Sequence, residues 1–309
     1  MNEAMAAVSP DVLMPVSFAG ISKLSEHRKV FSGRVMIAPL ADPETLKRAG
    51  DKGYLAVFAS IAGIPIPKTL VYDPATGLNG PLESLCFPVL VKPVDGTSGQ
   101  GIQKMETQSD FTLFAGRTKT GRRWVVQEIV GGADVDCSVL CQQGLIVAWT
   151  IQRGLLSRSK AYMPPSAIDF IDDETVLAVI AKTMKVLEFE GVANCDLRCD
   201  AATGDVRLIE INPRFWGSLY ASHLAGVNFP ALVLAQTLGL PLPRQTGSRS
   251  CQFYFIAGWW STFVRAPWHW RSYLPYLFRS DLGIRLTDPA PDLARIWAAV
   301  KRLTEKCSR

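Results

Sequence analysis

The fold of this chain is decided by the stretch Arg207-Leu208-Ile209-Glu210-Ile211-Asn212-Pro213-Arg214. Side chains of a β-strand alternate between its two faces. We therefore predict one mostly polar face made of Leu208, Glu210, Asn212 and Arg214. The opposite face, with Ile209 and Ile211, should point into a core. A carboxylate, an amide and a guanidinium in one row are costly to bury without a ligand, although a solvated edge strand is the alternative interpretation.

This polar row has the chemistry of a metal and phosphate site. Glu210 and Asn212 carry the oxygen donors that Mg²⁺ prefers, and Arg214 offers a rigid fork of N–H donors to a phosphoryl group. Upstream, Asp196 lies in a second apolar run, and the turn-like Ala202-Thr203-Gly204-Asp205 separates the two runs. The pattern predicts a β-hairpin in which Asp196 lies opposite Glu210, as a third oxygen donor for the same position.

The composition is that of a globular protein with a sizeable core. The 309 residues are 48% hydrophobic and 20% charged, which is ordinary for one large domain or a few small ones. The formal net charge of +5 is unevenly distributed, because residues 243–309 hold eleven Lys and Arg against four Asp and Glu. The rest of the chain is close to neutral, so the C-terminal part is the basic one.

The cysteines and the N-terminus predict a cytoplasmic protein. The cysteines number seven and lie in apolar contexts, which favours reduced thiols over a disulfide framework or a zinc site. Residues 1–20 lack the basic start and the apolar run of a signal peptide. The longest apolar stretch, residues 253–264, is far shorter than the roughly 20 residues that span a bilayer. We therefore expect no transmembrane segment.

Several residues upstream of the hairpin occupy places that packing does not explain. Lys52 lies in the first turn of a predicted helix, close to the positive end of the helix dipole. Lys92 follows three buried-type residues in a predicted strand. Gly96-Thr97-Ser98-Gly99-Gln100-Gly101 then forms a glycine hairpin whose N–H groups can wrap an anion, although it matches neither a Walker A loop nor a dinucleotide fingerprint. Solvated lysines and an ordinary turn are the alternatives.

In order and separation, these segments resemble the ATP-grasp superfamily, and more closely its carbamoyl-phosphate-synthetase-like carboxylate–amine ligases. The segments that carry the resemblance are Asp51-Lys52, Val91-Lys92-Pro93, the glycine hairpin, Gln127-Glu128-Ile129-Val130, Asp196 and Glu210-Ile211-Asn212-Pro213-Arg214. They lie within residues 10–240. The resemblance implies an α/β (α+β) ATP-grasp fold, in which two α+β subdomains grip ATP after a shortened βαβ portion.

The resemblance also divides the chain into expected domains. Residues 1–50 would be a partial pre-ATP-grasp domain, whose missing first portion is a departure from the family. Residues 51–240 would be the ATP-grasp domain, with a lid-bearing subdomain at 51–127 and a metal-binding subdomain at 128–240. Residues 241–309 would be a C-terminal extension rich in Trp and Arg. Such a segment suits a nucleic acid, a membrane interface or a partner, but we favour an aromatic cap that closes the core.

The phosphate and lid residues follow from the same resemblance. Lys52 and Lys92 would contact the phosphates of ATP, and Lys92 would also be catalytic. The lid over the phosphates would be formed by Gly96, Thr97, Ser98, Gly99, Gln100 and Gly101.

The remaining roles concern the base, the ribose and the metal. Glu128 would accept a hydrogen bond from the adenine amino group, beside the backbone of Ile129 and Val130. Asp136 would bind the ribose, with Asp134 as the alternative. Two Mg²⁺ ions, for which Mn²⁺ is an alternative, would be held by Asp196, Glu210 and Asn212. Arg214 would be catalytic by stabilising the transferring phosphoryl group.

The function implied is ADP-forming ligation of a carboxylate to an amine through an acyl phosphate. A non-catalytic ATP-binding module and an ATP-grasp phosphotransferase are the alternatives. The expected partners are the two small-molecule substrates, with no nucleic acid. Whether the protein forms a homodimer is left undecided. The cationic segment 153–162 either faces the acceptor substrate, which would then be anionic, or is a solvated loop.

Overall fold

The structure is a computed structural model, and it describes residues 9–31, 33–96, 99–118, 121–156, 165–243, 246–265, 268, 270–291, 293–294 and 297. The strands are β1 (Val12–Leu13), β2 (Met36–Ile37), β3 (Thr69–Asp73), β4 (Gly77–Leu78), β5 (Val89–Pro93), β6 (Gln103–Met105), β7 (Trp124–Glu128), β8 (Ala133–Gln142), β9 (Leu145–Leu156), β10 (Ala167–Ile171), β11 (Gly191–Cys199), β12 (Val206–Asn212) and β13 (Gln252–Tyr254). The helices are α1 (Phe18–Glu26), α2 (Arg28–Phe31), α3 (Pro43–Gly50), α4 (Lys52–Ala62), α5 (Gln108–Arg117), α6 (Glu174–Val186), α7 (Leu219–Leu224), α8 (Phe229–Thr237), α9 (Ile256–Arg265), α10 (Trp270–Leu277) and α11 (Leu282–Thr287).

The larger sheet has six strands in the order β12-β11-β8-β9-β10-β13. Every neighbouring pair is antiparallel, so alternate residues can line a core on one face and a site on the other. The core face packs against α3, α4 and α6, which contribute Leu46, Leu55 and Ile180 to one hydrophobic cluster. The opposite face carries the polar residues predicted from the sequence.

The smaller sheet has five strands in the order β4-β3-β7-β5-β6. Helix α5 covers it through Phe111, which is 4% exposed and packs edge to face on Tyr72. Strands β5 and β6 pair antiparallel, with Val89 opposite Met105. The glycine hairpin predicted at residues 96–101 therefore does connect two paired strands, although Thr97 and Ser98 lie outside the described residues.

Capping residues set the boundaries of α3 and α4. The Asp42 side chain accepts hydrogen bonds from the N–H groups of Glu44 and Thr45, with Pro43 at the first helical position. Asp51 caps α4 in the same way. At the other end of α4, Gly63 adopts the left-handed conformation with φ 62°, which is the ordinary way to end a helix.

The predicted alternation of β12 is wrong at two positions, Leu208 and Ile209. Leu208 and Ile211 are both buried in the core cluster, whereas Ile209 and Glu210 both line the opposite cavity. The cause is a register shift, because Asp196 pairs with Glu210 but the next residue of β11, Leu197, pairs with Leu208. Such a bulge places an extra residue on one strand and reverses the phase of alternation on either side of it.

The expectation of an aromatic cap holds for only part of the C-terminal extension. Strand β13 extends the larger sheet, and its Phe253 is 2% exposed. In contrast, Trp260, Trp268 and Trp297 are 60%, 71% and 73% exposed. For these three residues the predicted cap is wrong. Over the described part of the chain, no helix combines the length and the hydrophobicity needed to cross a bilayer.

The link between the two sheets predicts a backbone-sensitive position. Gly132 has φ +104°, and a Cβ atom there would lie 2.0 Å from the carbonyl oxygen of Cys199. We expect Gly132→Ala to lower the free energy of unfolding by at least about 2 kcal/mol, because strain and clash add. Urea denaturation measures the loss. Gly131→Ala is the matched control, since its Cβ would meet nothing within 4 Å, and equal midpoints for the two variants would contradict the prediction.

Candidate active site

One large cavity lies where the two sheets face each other. Its volume is about 720 Å³, which is within the range of ligand pockets. Residues of β5 and β7 from the smaller sheet line it together with residues of β8, β11 and β12 from the larger sheet. Of the site residues predicted from the sequence, the following line the cavity: Lys52, Lys92, Gly96, Gly99, Gln100, Glu128, Ile129, Val130, Asp136, Asp196, Glu210, Asn212 and Arg214.

Three carboxylates form a row across neighbouring strands on the floor of this cavity. Glu210 pairs with Asp196, as the sequence predicted, and Asp196 pairs in turn with Asp136 on β8. Directly opposite residues of antiparallel strands have their Cβ atoms about 4.5–5.5 Å apart. The row therefore concentrates negative charge at one point of the cavity.

The environment separates the pKa values of these carboxylates. Burial, together with the charges of Asp136 and Glu210, raises the pKa of Asp196 well above its usual value. Burial also raises the pKa of Asp136 to about 6, against a hydrogen bond from Gln152. Burial acts in the same direction on Glu210, but the Lys52 ammonium and several hydrogen bonds outweigh it and lower the pKa of Glu210. Like charges held this close favour a shared proton or a bound cation.

Lys52 connects the glycine hairpin to the carboxylate row. Its ammonium Nζ lies 2.8 Å from Oε2 of Glu210 and donates a hydrogen bond of 2.7 Å to the carbonyl oxygen of Gly96. The side chain reaches this place because α4 begins at the cavity wall, capped by Asp51, which also binds Arg123 at 2.6 Å. A lysine at a helix N-terminus, which packing alone does not favour, thus faces the cavity between Glu210 and Gly96.

Lys92 is the most deeply buried cation of the site. Its side chain is 7% exposed, and its Nζ donates to Oε1 of Gln127 at 2.8 Å. Burial lowers the pKa of Lys92 to about 8, although the charge of Glu210 opposes the shift. An ammonium with one neutral partner keeps two N–H donors for a further acceptor.

Asn212 and Arg214 continue the row beyond Glu210. The Asn212 amide donates from Nδ2 to Oε1 of Glu210 at 3.0 Å, and its Oδ1 accepts from Nη2 of Arg214 at 3.2 Å. Arg214 also donates from Nη1 to the carbonyl oxygen of Phe215. Both side chains are therefore held in place on the cavity wall by their neighbours.

The donor set fits a magnesium ion that is shared with a phosphate. The described residues contain no group of three or more His, Cys, Asp or Glu side chains that could hold a metal ion without other ligands. Mg²⁺ is commonly bound through one or two carboxylates, with substrate phosphates and water as the other ligands. Asp196 and Glu210 form such a pair, and their clustered negative charge is expensive to bury without a cation.

The residues predicted to border the base and the ribose differ in the contacts that they make. Ile129 and Val130 line it as expected, but Glu128 uses Oε1 to accept a hydrogen bond from the backbone N–H of Cys86 at 2.8 Å. Asp134 lies beside Arg198, with 3.3 Å between Oδ1 and Nε. Gly101 is not among the residues that line the cavity.

Several cavity residues were not predicted from the sequence. Gln152 donates from Nε2 to Oδ2 of Asp136 at 2.8 Å and accepts from Oγ of Ser218 at 2.9 Å. Asn194 donates from Nδ2 to Oδ1 of Asp196. The alternation that singled out Asp196 could have found Asn194, two residues earlier on the same strand. Gln152 could be identified only from the pairing of β8 with β9, which places it opposite Asp136.

Comparisons with known proteins agree with this geometry. A family model described as ATP-grasp in the biosynthetic pathway with Ter operon matches residues 120–252. The D-aspartate ligase of Enterococcus faecium is 25% identical over 230 residues, which cover 68% of this chain and 54% of that protein. The D-alanine–D-alanine ligase A of Bradyrhizobium diazoefficiens is 25% identical over 286 residues, which cover 81% of this chain and 74% of that protein.

The fold comparison points the same way. The biotin carboxylase–β-γ-ATP complex from Campylobacter jejuni superposes with a TM-score of 0.60 at 15% identity, over 78% of this chain and 57% of that one. The predicted fold class is confirmed by this likeness and by the two facing sheets. The chain therefore has the ATP-grasp fold, and its residues 120–252 match an ATP-grasp family model.

Proposed function

We propose that this protein is an ADP-forming ligase that joins the carboxylate of one small molecule to the amine of another. The observation that carries the proposal is the convergence of Lys52, Glu210, Asp196 and Arg214 on one cavity between two sheets. The similarity to D-aspartate and D-alanine–D-alanine ligases supports the same reaction class. Because the chain spans only 54% of the length of the first of these relatives, the activity remains our proposal.

The proposed reaction has two steps. In the first, an oxygen of the substrate carboxylate attacks the γ-phosphorus of ATP, the bond to the bridging oxygen breaks, and ADP leaves. In the second, the nitrogen of the amine attacks the acyl carbon, the carbon–oxygen bond to phosphate breaks, and the amine loses a proton. The products are an amide, ADP and inorganic phosphate. Positioning and charge neutralisation supply most of the rate in such phosphoryl transfers.

The side chains that line the cavity have different roles in the proposed reaction. Lys52 and Lys92 would neutralise the phosphates from the side of the smaller sheet, and Arg214 would offer its fork to the phosphoryl group in transfer. The glycine hairpin would close over the nucleotide and exclude the water that hydrolyses an acyl phosphate. Glu128, Ile129 and Val130 would border the base, and Asp136 or Asp134 the ribose.

The metal ligands in this proposal are Asp196, Glu210 and Asn212, which would hold two Mg²⁺ ions. The bound ions would neutralise phosphate charge and orient the γ-phosphate. Lys52 forms an ion pair with Glu210, with 2.8 Å between Nζ and Oε2. The number of ions and the cytoplasmic location both remain predictions, as does the division into domains at residues 50, 127 and 240.

The proposal is tested by measuring ADP release with a panel of carboxylic acids and amines in the presence of ATP and Mg²⁺. We expect ADP release that requires both an acid and an amine, with the amide product identified by mass spectrometry. ATP binding without turnover across the panel would favour a non-catalytic module. A phosphorylated hydroxyl product would favour a phosphotransferase, and either result would overturn the proposal.

The buried ammonium of Lys92 predicts a pH dependence of ATP binding. Burial lowers the pKa of Lys92 to about 8, so in the free protein the side chain is charged below that pH and neutral above it. Because the charged form attracts phosphate, we expect the affinity for a non-hydrolysable ATP analogue to fall between pH 8 and 10, by up to about tenfold per pH unit. Calorimetry at several pH values measures it. Lys92→Met should bind more weakly at pH 7 and lose this slope; an unchanged slope would contradict the assignment.

A further inference from the structure

The cavity extends beyond the carboxylate row to a distinctly apolar end. Gln152 follows Asp136 across the sheet, and on the next strand, β10, Ile168 also lines the cavity. Ile168 is 1% exposed and belongs to a hydrophobic cluster with Phe170, Ala221 and Phe253. Three strand spacings of roughly 4.8 Å separate β11 from β10, so this end lies about 14 Å from Asp196.

The C-terminal extension supplies part of this end. Strand β13 pairs with β10, with Phe253 opposite Ile168. Phe255 follows directly, donates its backbone N–H to the carbonyl oxygen of Ser166 at 3.1 Å, and lines the cavity. Its ring lies edge to face against Phe253, with the ring centroids 5.3 Å apart. Phe255 lies three residues beyond the range that the family model matches.

The loop after β12 lines a neighbouring part of the cavity. Trp216, which is 7% exposed, lines the cavity together with Gly217 and Ser218. The hydrogen bond from Ser218 to Gln152 brings this loop over the middle of the sheet. Pro165 completes the described lining at the start of β10.

We propose that this apolar end, formed by Phe255, Ile168 and Pro165, binds a bulky hydrophobic group of one of the two substrates. The inference rests on the proposed ligase function and names a substrate class for it. An aromatic or branched aliphatic group that packs against this end is removed from water, whereas a small or acidic side chain gains little from the same contacts. The C-terminal extension is then part of the substrate site.

The test compares three substrate arms with the full-length protein, ATP and Mg²⁺. In the first, phenylalanine or leucine supplies the carboxylate and glycinamide the amine. In the second, N-acetylglycine supplies the carboxylate, and phenylalaninamide or leucinamide the amine. The third uses only alanine, aspartate and their amides. We expect kcat/KM at least tenfold higher in one of the first two arms than in the third, and the arm that wins identifies which substrate is hydrophobic.

Variants at Phe255 assign the preference to this site. Phe255→Ala should lower kcat/KM for the preferred bulky substrate by about 10–100-fold, with less than threefold change for alanine and for the KM of ATP. Phe255→Leu, which keeps an apolar side chain, should lose less. Phe278→Ala is the matched control, because Phe278 belongs to the same extension, is 86% exposed and does not line the cavity. Equal effects of Phe255→Ala on bulky and small substrates would overturn the inference.

A binding measurement separates this inference from the ligase proposal. Thermal shift with ADP and either phenylalanine, phenylalaninamide or aspartate reports binding without turnover. Stabilisation by a bulky ligand that Phe255→Ala abolishes, in a protein that releases no ADP, would support the apolar site and reject the ligase activity. Turnover with only the small or acidic substrates would support the ligase activity and reject the apolar site.

Discussion

Arg214→Ala is expected to lower kcat by on the order of 10²–10³, with a change of only a few-fold in the KM for ATP. The guanidinium lies at the end of the polar row and is fixed by Asn212 and by the carbonyl oxygen of Phe215. A donor held in advance at the position where charge develops stabilises the transition state more than the ground state. The measurement is steady-state ADP release with the substrates found in the panel.

Two further variants test whether the loss of kcat is specific to the guanidinium of Arg214. Arg214→Lys keeps the charge without the planar fork, so it should recover only part of the rate. Arg207→Ala is the matched control, since Arg207 lies on β12, the strand that leads to Arg214, pairs with Asp205 and does not line the cavity. If Arg214→Ala turned over as fast as Arg207→Ala, Arg214 would have no role in phosphoryl transfer.

Glu210→Gln is expected to lower kcat by a similar 10²–10³ and to raise the Mg²⁺ concentration needed for half-maximal activity. The substitution removes the carboxylate that faces Asp196 and pairs with Lys52 at 2.8 Å. The remaining amide is a weaker ligand for a hard cation, and Lys52 loses its ionic partner. The measurement is turnover as a function of free Mg²⁺ at saturating ATP.

The same variant has a second, independent consequence. The negative charge of Glu210 contributes to the raised pKa of Asp196, after burial and Asp136. Removing that charge should therefore lower the pKa of Asp196 towards its usual value, which infrared or NMR titration can follow. Glu106→Gln is the control, because Glu106 is 64% exposed and pairs only with Lys104 in the ion pairs described. Mg²⁺ dependence like that of Glu106→Gln would remove Glu210 from the proposed metal site.

The local sequence was sufficient for features that depend on neighbouring residues. The turn at residues 202–205 joins two apolar runs, and the register of the resulting hairpin places Asp196 opposite Glu210 as predicted. The helix that begins after Asp51 and ends at Gly63 follows from a capping side chain and a left-handed glycine. These features depend on backbone geometry within a few residues, and periodicity and residue type report that geometry directly.

Long-range pairing decided what local periodicity could not. The bulge beside Asp196 turns Ile209 to the cavity and Leu208 to the core. Because the bulge depends on how β12 pairs with β11, the residue pattern of β12 alone does not reveal it. The partner of Lys92, Gln127, and the link from Gln152 to Asp136 likewise come from neighbouring strands.

The sequence by itself determined the fold class, the polar hairpin and most of the charged residues that line the cavity, because these follow from residue type, spacing and resemblance. The tertiary structure decided which of these residues touch, how their pKa values separate, and that Phe255 of the C-terminal extension reaches the same cavity as Glu210. The physical reason is that contacts between strands distant in the chain arise only when the sheets assemble. An aromatic residue 45 positions from Glu210 carries no local sign that the two share one site.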